Sequence, residues 1–225
     1  MSYILNFDTA TKNCSVSIGR NGEMVAFEEV NTENYSHSEK LHLFVENVLQ
    51  KAQIEFSDLA AVCVGKGPGS YTGLRIGVSA AKGICFALDI PLISLESLEI
   101  LANSITINEG VVIPMLDARR LEVFSAVFDK NGLQIRGTKA EVLDENSYDD
   151  YLSSDKVYFV GDAVKKTKDI IIHKNAIFIE SKFPSALDMV TLSEKKYKNA
   201  VFEDVAYFEP YYLKDFVGVK PKKRI

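Results

Sequence analysis

A glycine-rich stretch, GKGPGSYTGLRIG, runs from Gly65 to Gly77, between an apolar segment and a helix-like one. Many proteins bind phosphate with a strand, a glycine loop and a helix, because free N–H groups at the helix start point at the anion. The P-loop pattern fails here, since Ser70 and Tyr71 stand where it requires glycine and lysine. The dinucleotide pattern fails as well, because Thr72 stands in place of its last glycine.

The same stretch also has the residues of a tight strand-to-helix turn. Pro68 fixes its φ angle, Gly67 and Gly69 accept unusual backbone angles, and Ser70 or Thr72 can cap the helix. A general anion site at the helix start and a purely structural turn therefore remain as alternatives.

Two aspartates form the next candidate site. Asp8 and Asp117 each end an apolar segment that leads into a polar turn, and Thr9 and Thr11 follow the first of them. Carboxylates and hydroxyls at such a place can hold phosphate with magnesium, so they are candidates for an ancestral phosphate or metal site. Aspartate is also an ordinary turn residue, and this alternative stays open.

Other catalytic arrangements are poorly supported. His37 and His42 are five residues apart, whereas two histidine ligands on one helix face need a spacing of four. Leu41 occupies the position that a second ligand would need. No G-x-S-x-G nucleophile elbow is present.

The elements that position these residues repeat along the chain. An apolar strand ends at Asp8 and a second strand leads to Asn21-Gly22, a strong hairpin signal. The same order recurs from Asp117 to Asn131-Gly132, and the two spacings are 13 and 14 residues. The repeat predicts two related α/β halves, an N-terminal subdomain over residues 1–102 and a reduced second one over residues 103–225.

Two helices are predicted in the first half. Ser36 and Glu39 form a capping box before an amphipathic segment that ends near Ala52. The helix after the glycine loop has small residues along one stripe, which allow close packing. This stripe could face the protein's own sheet or a helix of another chain. Its members are Gly73, Gly77, Ala80, Ile84 and Ala87.

Composition narrows the function classes. The formal net charge of −5 argues against attraction of the whole surface to nucleic acid or membranes. The one basic cluster, KPKKRI at residues 220–225, is either a solvated tail or a surface for RNA or a partner. The chain has neither a signal-peptide pattern nor a membrane-length apolar run. With three cysteines in apolar surroundings, we expect buried thiols in the cytoplasm.

Five segments in order, ILNFDTAT, GKGPGSYTGLRIG, MLDARRLEVFSAVF, GDA and PYYLKDF, resemble the bacterial TsaB family, also called YeaZ. The resemblance covers nearly the whole chain. It implies a duplicated actin-like (ASKHA, hexokinase/Hsp70-like) α/β fold. It also implies a role in forming threonylcarbamoyladenosine next to the anticodon of tRNAs that read codons starting with A.

The resemblance implies a non-catalytic subunit as well. TsaB proteins are similar to the catalytic subunit TsaD, which binds a metal through a histidine pair. They pair with TsaD through two N-terminal helices, and with the ATPase TsaE. We therefore expect no cofactor on this chain, with ATP, magnesium and metal held by partner subunits, and tRNA contacted only through the complex. The same docking face could serve a homodimer in isolation, and the sequence does not decide between homodimer and heterodimer.

Two groups of residues follow from this interpretation. The expected partner-binding residues are His37, Lys40, Leu41, Phe44, Leu74, Arg75, Val78, Lys82 and Phe86. The expected remnants of a phosphate loop are Asp8, Thr9, Thr11, Gly67, Gly69 and Ser70.

Two other functions compete with the scaffold subunit. An actin-like ATPase or kinase would use Asp8, Thr9 and Thr11 with magnesium. A glycoprotease-like peptidase is the weaker alternative, because its histidine pair is missing.

Overall fold

The computed structural model describes residues 2–31 and 37–214, except for the side chains of residues 37–39. Its first sheet has five strands: β1 (Tyr3–Asp8), β2 (Asn13–Arg20), β3 (Glu23–Asn31), β4 (Leu59–Gly67) and β5 (Leu92–Glu96). Their order is β3-β2-β1-β4-β5, with the first three antiparallel and the last two added in parallel. Asn21 and Gly22 join β2 to β3 with φ angles of 55° and 83°, the left-handed conformation that their sequence predicts.

The second sheet repeats this plan. Its strands are β6 (Val111–Asp117), β7 (Glu122–Asp129), β8 (Gln134–Val142), β9 (Val157–Val160) and β10 (Ala176–Ile179). The order β8-β7-β6-β9-β10 is that of the first sheet, again with three antiparallel strands followed by two parallel ones. The predicted duplication is therefore confirmed, and with it the α/β actin-like class.

Helices cover the sheets in layers. They are α1 (His37–Ala52), α2 (Tyr71–Leu88), α3 (Ser97–Asn103), α4 (Asp149–Leu152), α5 (Val164–Lys168) and α6 (Ala186–Lys198). α1 and α2 pack on one face of the first sheet, and α3 and α6 on the other. α3 also contacts the second sheet, whose far face is covered by α4 and α5.

Polar groups fix α6 to the first sheet although α6 follows the second sheet in the chain. The hydroxyl of Ser15 accepts a hydrogen bond from the N–H of Ala186 at 2.8 Å, and that of Ser17 donates to the Ala186 carbonyl at 2.7 Å. Asn13 donates to the carbonyl of Pro184 at 3.0 Å. These buried groups satisfy one another at the start of α6. The subdomain boundary at residue 102 stays a prediction.

The segment from Glu203 to Lys214, here called the strap, crosses from the first half to the second. Glu203 bonds to the backbone of Leu92 on β5, and the N–H of Tyr211 donates to the carbonyl of Lys66 at 2.8 Å. At its end, Lys214 forms an ion pair with Glu122 on β7. The aromatic segment thus lies against the body of the protein as expected, while the basic cluster at residues 220–225 is outside the described residues.

Three further expectations concern the cysteines, a membrane span and the capping box before α1. The three cysteines are buried free thiols, as predicted. Within residues 2–31 and 37–214, no helix is both long enough and apolar enough to cross a membrane. The capping box of Ser36 and Glu39 lies outside the described residues.

Candidate functional site

The glycine loop packs directly on the turn that follows β1. The N–H of Ser70 donates to the carbonyl oxygen of Ala10 at 2.6 Å, and a Cβ atom on Gly69 would overlap that oxygen. Ser70 also caps α2, because its hydroxyl accepts from the N–H of Gly73 at 3.3 Å. Gly67, with a φ of 108°, lies against Leu74 and the strap. The loop is therefore a tight strand-to-helix turn that has closed onto its own chain.

Only some of the small residues of α2 pack closely against the turn that follows β1. A Cβ atom on Gly73 would overlap the carbonyl oxygen of Thr9, and one on Gly77 would overlap the Thr9 hydroxyl. That hydroxyl donates to the Gly73 carbonyl at 2.8 Å. Gly83, one turn and a half further on, has no atom of the described residues within 4 Å of an added Cβ. The first two glycines thus face the protein itself, and Gly83 faces outward.

Asp8 lies at the centre of the closed turn. It is fully buried, its Oδ1 accepts from the N–H of Ala10 at 3.0 Å, and its Oδ2 accepts no hydrogen bond from the described residues. Burial raises the pKa of Asp8 to about 7, against the smaller opposing effect of the Ala10 hydrogen bond. A Cβ atom on Gly65 would overlap Oδ2, so backbone closes that side. Thr11 is also buried, and its hydroxyl accepts from the N–H of Asn13 at 3.2 Å.

The six expected remnants of a phosphate loop are thus brought together, but as a filled turn. The N–H of Ser70 is bonded to the carbonyl of Ala10 and that of Gly73 to the Ser70 hydroxyl, and the backbone of residues 9 and 10 lies directly against Gly69 and Gly73. In residues 2–31 and 37–214, no group of three or more histidine, cysteine or acidic side chains is placed to hold a metal ion.

The corresponding turn of the second half is open. Asp117 is exposed, and its Oδ1 accepts hydrogen bonds from the N–H of Arg119 at 2.7 Å and from Lys166 Nζ at 2.6 Å. The neighbouring Asp162 accepts from the N–H of Asp117 at 2.9 Å. Burial raises the pKa of Asp162.

The assignment of three residues to the partner-binding surface was wrong. Leu41, Leu74 and Val78 are buried in the core between the first sheet and its helices. The stripe of α2 that faces the sheet therefore contains Leu74 and Val78, next to the glycine stripe. Core side chains of this kind stabilise the fold by about 1.5–3 kcal/mol each and cannot contact another protein.

The other expected partner-binding residues lie nearer the surface. Lys40 and Phe44 on α1 are half-buried. The guanidinium of Arg75 lies over the ring of Tyr71 and bonds to the hydroxyl of Tyr212 at 3.3 Å.

The last three expected partner-binding residues are Lys82, Phe86 and His37. Lys82 donates to two carbonyl oxygens of the strap at 3.0 and 3.1 Å. Phe86 is 84% exposed. The side chain of His37 is outside the described residues.

A shallow groove of about 470 Å³ runs along the outward face of α2 beside α1. Its lining consists of one histidine and five small or apolar residues: His42, Ile76, Ser79, Ala80, Gly83 and Ile84. Sequence reasoning did not propose Ile76 or Gly83 for this face, although Ile76, Ala80 and Ile84 are spaced four residues apart and so share one side of a helix.

A second groove lies on the other side of Gly83. It is lined by Lys82, Gly83 and Phe86 from α2 and by residues 204–206 of the strap. Small and apolar side chains make up most of the lining of the first groove, and Phe86, Val205 and Ala206 are apolar parts of the second. We call the exposed surface of α1, α2 and the strap around the two grooves the helix-pair face.

Comparison with known proteins agrees with this architecture. The TsaD family model, described as tRNA N6-adenosine threonylcarbamoyltransferase, matches residues 31–218. The tRNA threonylcarbamoyladenosine biosynthesis protein TsaB of Escherichia coli is 27% identical over 225 residues, covering 96% of each chain. The protein of the same name from Bacillus subtilis is 37% identical over 131 residues, 58% of this chain and 57% of the relative.

Solved structures agree as well. YeaZ from Pseudomonas aeruginosa superimposes with a TM-score of 0.82 at 25% identity, covering 95% of this chain and all of that one. The family match over most of the chain and the full-length relatives together show that the chain belongs to the TsaD family and, within it, to the TsaB (YeaZ) proteins.

Proposed function

We propose that this chain is a non-catalytic subunit in the formation of tRNA threonylcarbamoyladenosine, and that it pairs with a TsaD-like catalytic subunit. The observation that carries the proposal is the match to the TsaB protein of E. coli along 96% of both chains. That relative is named as a threonylcarbamoyladenosine biosynthesis protein, and a common ancestor of the same length favours a common role.

The filled turn supports a role without catalysis. Asp8 lies where an actin-like enzyme would need an ionised, accessible carboxylate, yet it is fully buried and has a raised pKa. The glycine loop bonds to the chain's own backbone. Leu41, which stands where a ligand four residues after His37 would be needed, lies in the core. ATP, magnesium and a catalytic metal therefore belong, in this proposal, to TsaD-like and TsaE-like partners.

The helix-pair face is the surface we assign to the TsaD-like partner. Its grooves expose apolar side chains such as Ile76 and Phe86, and burying such groups drives protein association. Gly83 lies between the two grooves and lets another backbone approach α2 closely. The same face would support a homodimer when the partner is absent. We place this complex in the cytoplasm and propose that tRNA reaches the chain only through it.

The experiment uses Gly83→Arg with Gly137→Arg as its matched control. Neither glycine has an atom of the described residues within 4 Å of an added Cβ, so both variants should fold. Gly137 lies on β8 in the second half. Each variant is mixed with the TsaD-like subunit, the TsaE-like ATPase and a threonylcarbamoyl-AMP synthase from the same source. Pairing is followed by size-exclusion chromatography and tRNA modification by mass spectrometry of nucleosides.

We expect the wild type and Gly137→Arg to pair and to restore modification, whereas Gly83→Arg does neither. Modification by the wild-type chain alone would contradict the non-catalytic role. Full pairing of Gly83→Arg would contradict the assignment of the helix-pair face. No second function is proposed, because the filled turn leaves the ATPase and peptidase alternatives without a supporting observation.

A further inference from the structure

The turn between β6 and β7 holds two arginines in an unusual conformation. Arg119 and Arg120 have φ angles of 74° and 52°, and both are exposed. Residues other than glycine rarely adopt positive φ, and two in succession persist only where the surroundings impose them. We call residues 118–121 the arginine turn.

Lys166 on α5 imposes this backbone from inside. Its Nζ donates to the carbonyl oxygen of Arg120 at 2.9 Å and to that of Glu122 at 2.6 Å, besides the bond to Asp117 described above. The carbonyl of Leu121 also accepts from the N–H of Leu143 at 2.9 Å. The main chain of the turn is thus bonded at several points, while the two guanidinium groups extend into solvent.

No ion pair within the described residues occupies the guanidinium groups of Arg119 and Arg120, so both can bind an anion from solution. The two carboxylates that flank the turn already form ion pairs with lysines: Asp117 with Lys166, and Glu122 with Lys214. Among the described residues, no carboxylate forms an ion pair with Arg119 or Arg120. The positive charge is therefore local, on a chain whose net charge is −5.

Other cations adjoin the arginine turn. Lys12, from the turn after β1, is close enough to Asp162 for its charge to act on that carboxyl. Lys214, the last described residue, is bonded to Glu122 beside the turn. Cations from both halves and from the strap are thus gathered at one edge of the molecule.

We propose that the arginine turn binds the phosphate backbone of tRNA. The inference rests on the proposed function, because it takes tRNA as the polyanion that this protein meets. Guanidinium groups bind phosphate with two parallel hydrogen bonds, and contacts of this kind position a nucleic acid without reading its sequence. The strained backbone then has a role, since it directs both side chains outward from a rigid support.

The test measures binding of an unmodified tRNA transcript to the complex with the TsaD-like partner by fluorescence anisotropy at several salt concentrations. The variant is Arg119→Glu with Arg120→Glu. The control is Lys130→Glu with Lys174→Glu, which makes the same charge change at exposed positions at the opposite end of the second sheet. We expect the variant to bind about tenfold more weakly or worse and the control to bind within about twofold of the wild type.

The salt dependence provides a second readout. Each phosphate contact releases about one counterion, so loss of two contacts should flatten the slope of log affinity against log salt by about two. Pairing of every variant is measured separately by size-exclusion chromatography. Equal loss of tRNA affinity in variant and control, or no loss in either, overturns the inference. Loss of affinity together with loss of pairing also overturns it, because the turn then belongs to the partner interface.

Two further outcomes are distinguishable. If the wild-type chain does not pair at all, the proposed function fails, and the tRNA affinities of isolated wild type and variant decide the inference by the same tenfold criterion. If the variant loses binding only to vesicles of equimolar phosphatidylcholine and phosphatidylserine, and keeps its tRNA affinity, the turn is a membrane contact and the inference is overturned.

Discussion

The two halves share one sheet plan but differ in the helices that cover it. In the first half, the helices after the third and fourth strands, α1 and α2, have 16 and 18 residues. Their counterparts in the second half, α4 and α5, have four and five. Both sheets nevertheless enclose a buried apolar core on that side. Covering such a sheet therefore does not require long helices, and the outward face of α1 and α2 is available for another role.

The turns after the first strands differ in the same way. Asp8 is enclosed by backbone and has a raised pKa, whereas Asp117 is exposed and paired with Lys166. The glycine loop packs into the turn after β1, whereas the turn after β6 is open and carries basic side chains. The comparison suggests that the first half serves packing and partner contact, while the second presents charge.

The largest expected effect is on the pH dependence of the free energy of unfolding, to which Asp8 should contribute and Asp117 should not. The folded chain keeps the proton on Asp8 up to about pH 7, whereas the unfolded chain loses it near its ordinary pKa of 3.8. Unfolding therefore releases a proton between these values, and stability falls as the pH rises, by up to about 4 kcal/mol. We expect Asp8→Asn to remove this contribution, so that in urea unfolding from pH 4 to pH 8 the stability of the wild type falls relative to that of Asp8→Asn by up to about 4 kcal/mol. Asp162 and Asp188, whose pKa values burial also raises, keep their own contributions in both proteins.

Asp117→Asn is the matched control for this prediction. It removes an exposed ion pair, so it should cost less than about 1 kcal/mol and retain the wild-type fall. A stability difference between the wild type and Asp8→Asn that stays constant from pH 4 to pH 8 would show that Asp8 is not protonated in the folded chain.

The next effect concerns the filled turn itself. Gly69→Ala places a methyl group on the carbonyl oxygen of Ala10, and relief requires movement of backbone. We expect a loss of about 3 kcal/mol in the free energy of unfolding. Gly137→Ala, where space is open, should change it by less than about 0.5 kcal/mol. Equal stabilities for the two variants would mean that the glycine loop is not closed on the first turn.

Two exposed side chains, one in each half, test the partner surface. Phe86→Ser on α2 and Ile172→Ser after α5 replace residues that are 84% and 90% exposed, so neither should lower stability measurably. Only Phe86→Ser should weaken pairing with the TsaD-like subunit, by about tenfold or more, as for an aromatic interface residue. Isothermal titration calorimetry measures both affinities, and a larger loss for Ile172→Ser would move the interface to the second half.

The smallest effect is a gain. Glycine in the interior of a helix costs about 0.5–1 kcal/mol relative to alanine, and Gly83 makes no packing contact that would justify this cost in the isolated chain. Gly83→Ala should therefore raise the midpoint of thermal unfolding. A lower midpoint would show that Gly83 is required by the fold and not by a partner.

Much of the fold could be predicted from the sequence, because its signals are local. The repeated aspartate and Asn-Gly spacing indicated two related halves, and the amphipathic pattern of α1 is a periodicity of a single element. The short helices α4 and α5 carry too few residues for such a pattern. The path of the strap depends on contacts between distant residues, such as Tyr211 with Lys66.

The candidate site was harder to predict because α2 is apolar on more than one side. Leu74 and Val78 face the sheet, Gly73 and Gly77 face Thr9, and the stripe through Ile76 and Ile84 faces the groove. Periodicity shows which residues share a face, but it cannot say which face meets the sheet when both are apolar. The open state of one aspartate turn and the filled state of the other likewise depend on the third dimension.

Hydrogen–deuterium exchange of the chain, alone and mixed with its TsaD-like partner, tests the central claim most directly. The account predicts slower exchange on mixing in residues 40–52 and 71–88, which form α1 and α2, and unchanged exchange in α4 and α5. Protection confined to the second half, or no protection in a complex shown to form by size-exclusion chromatography, would contradict it.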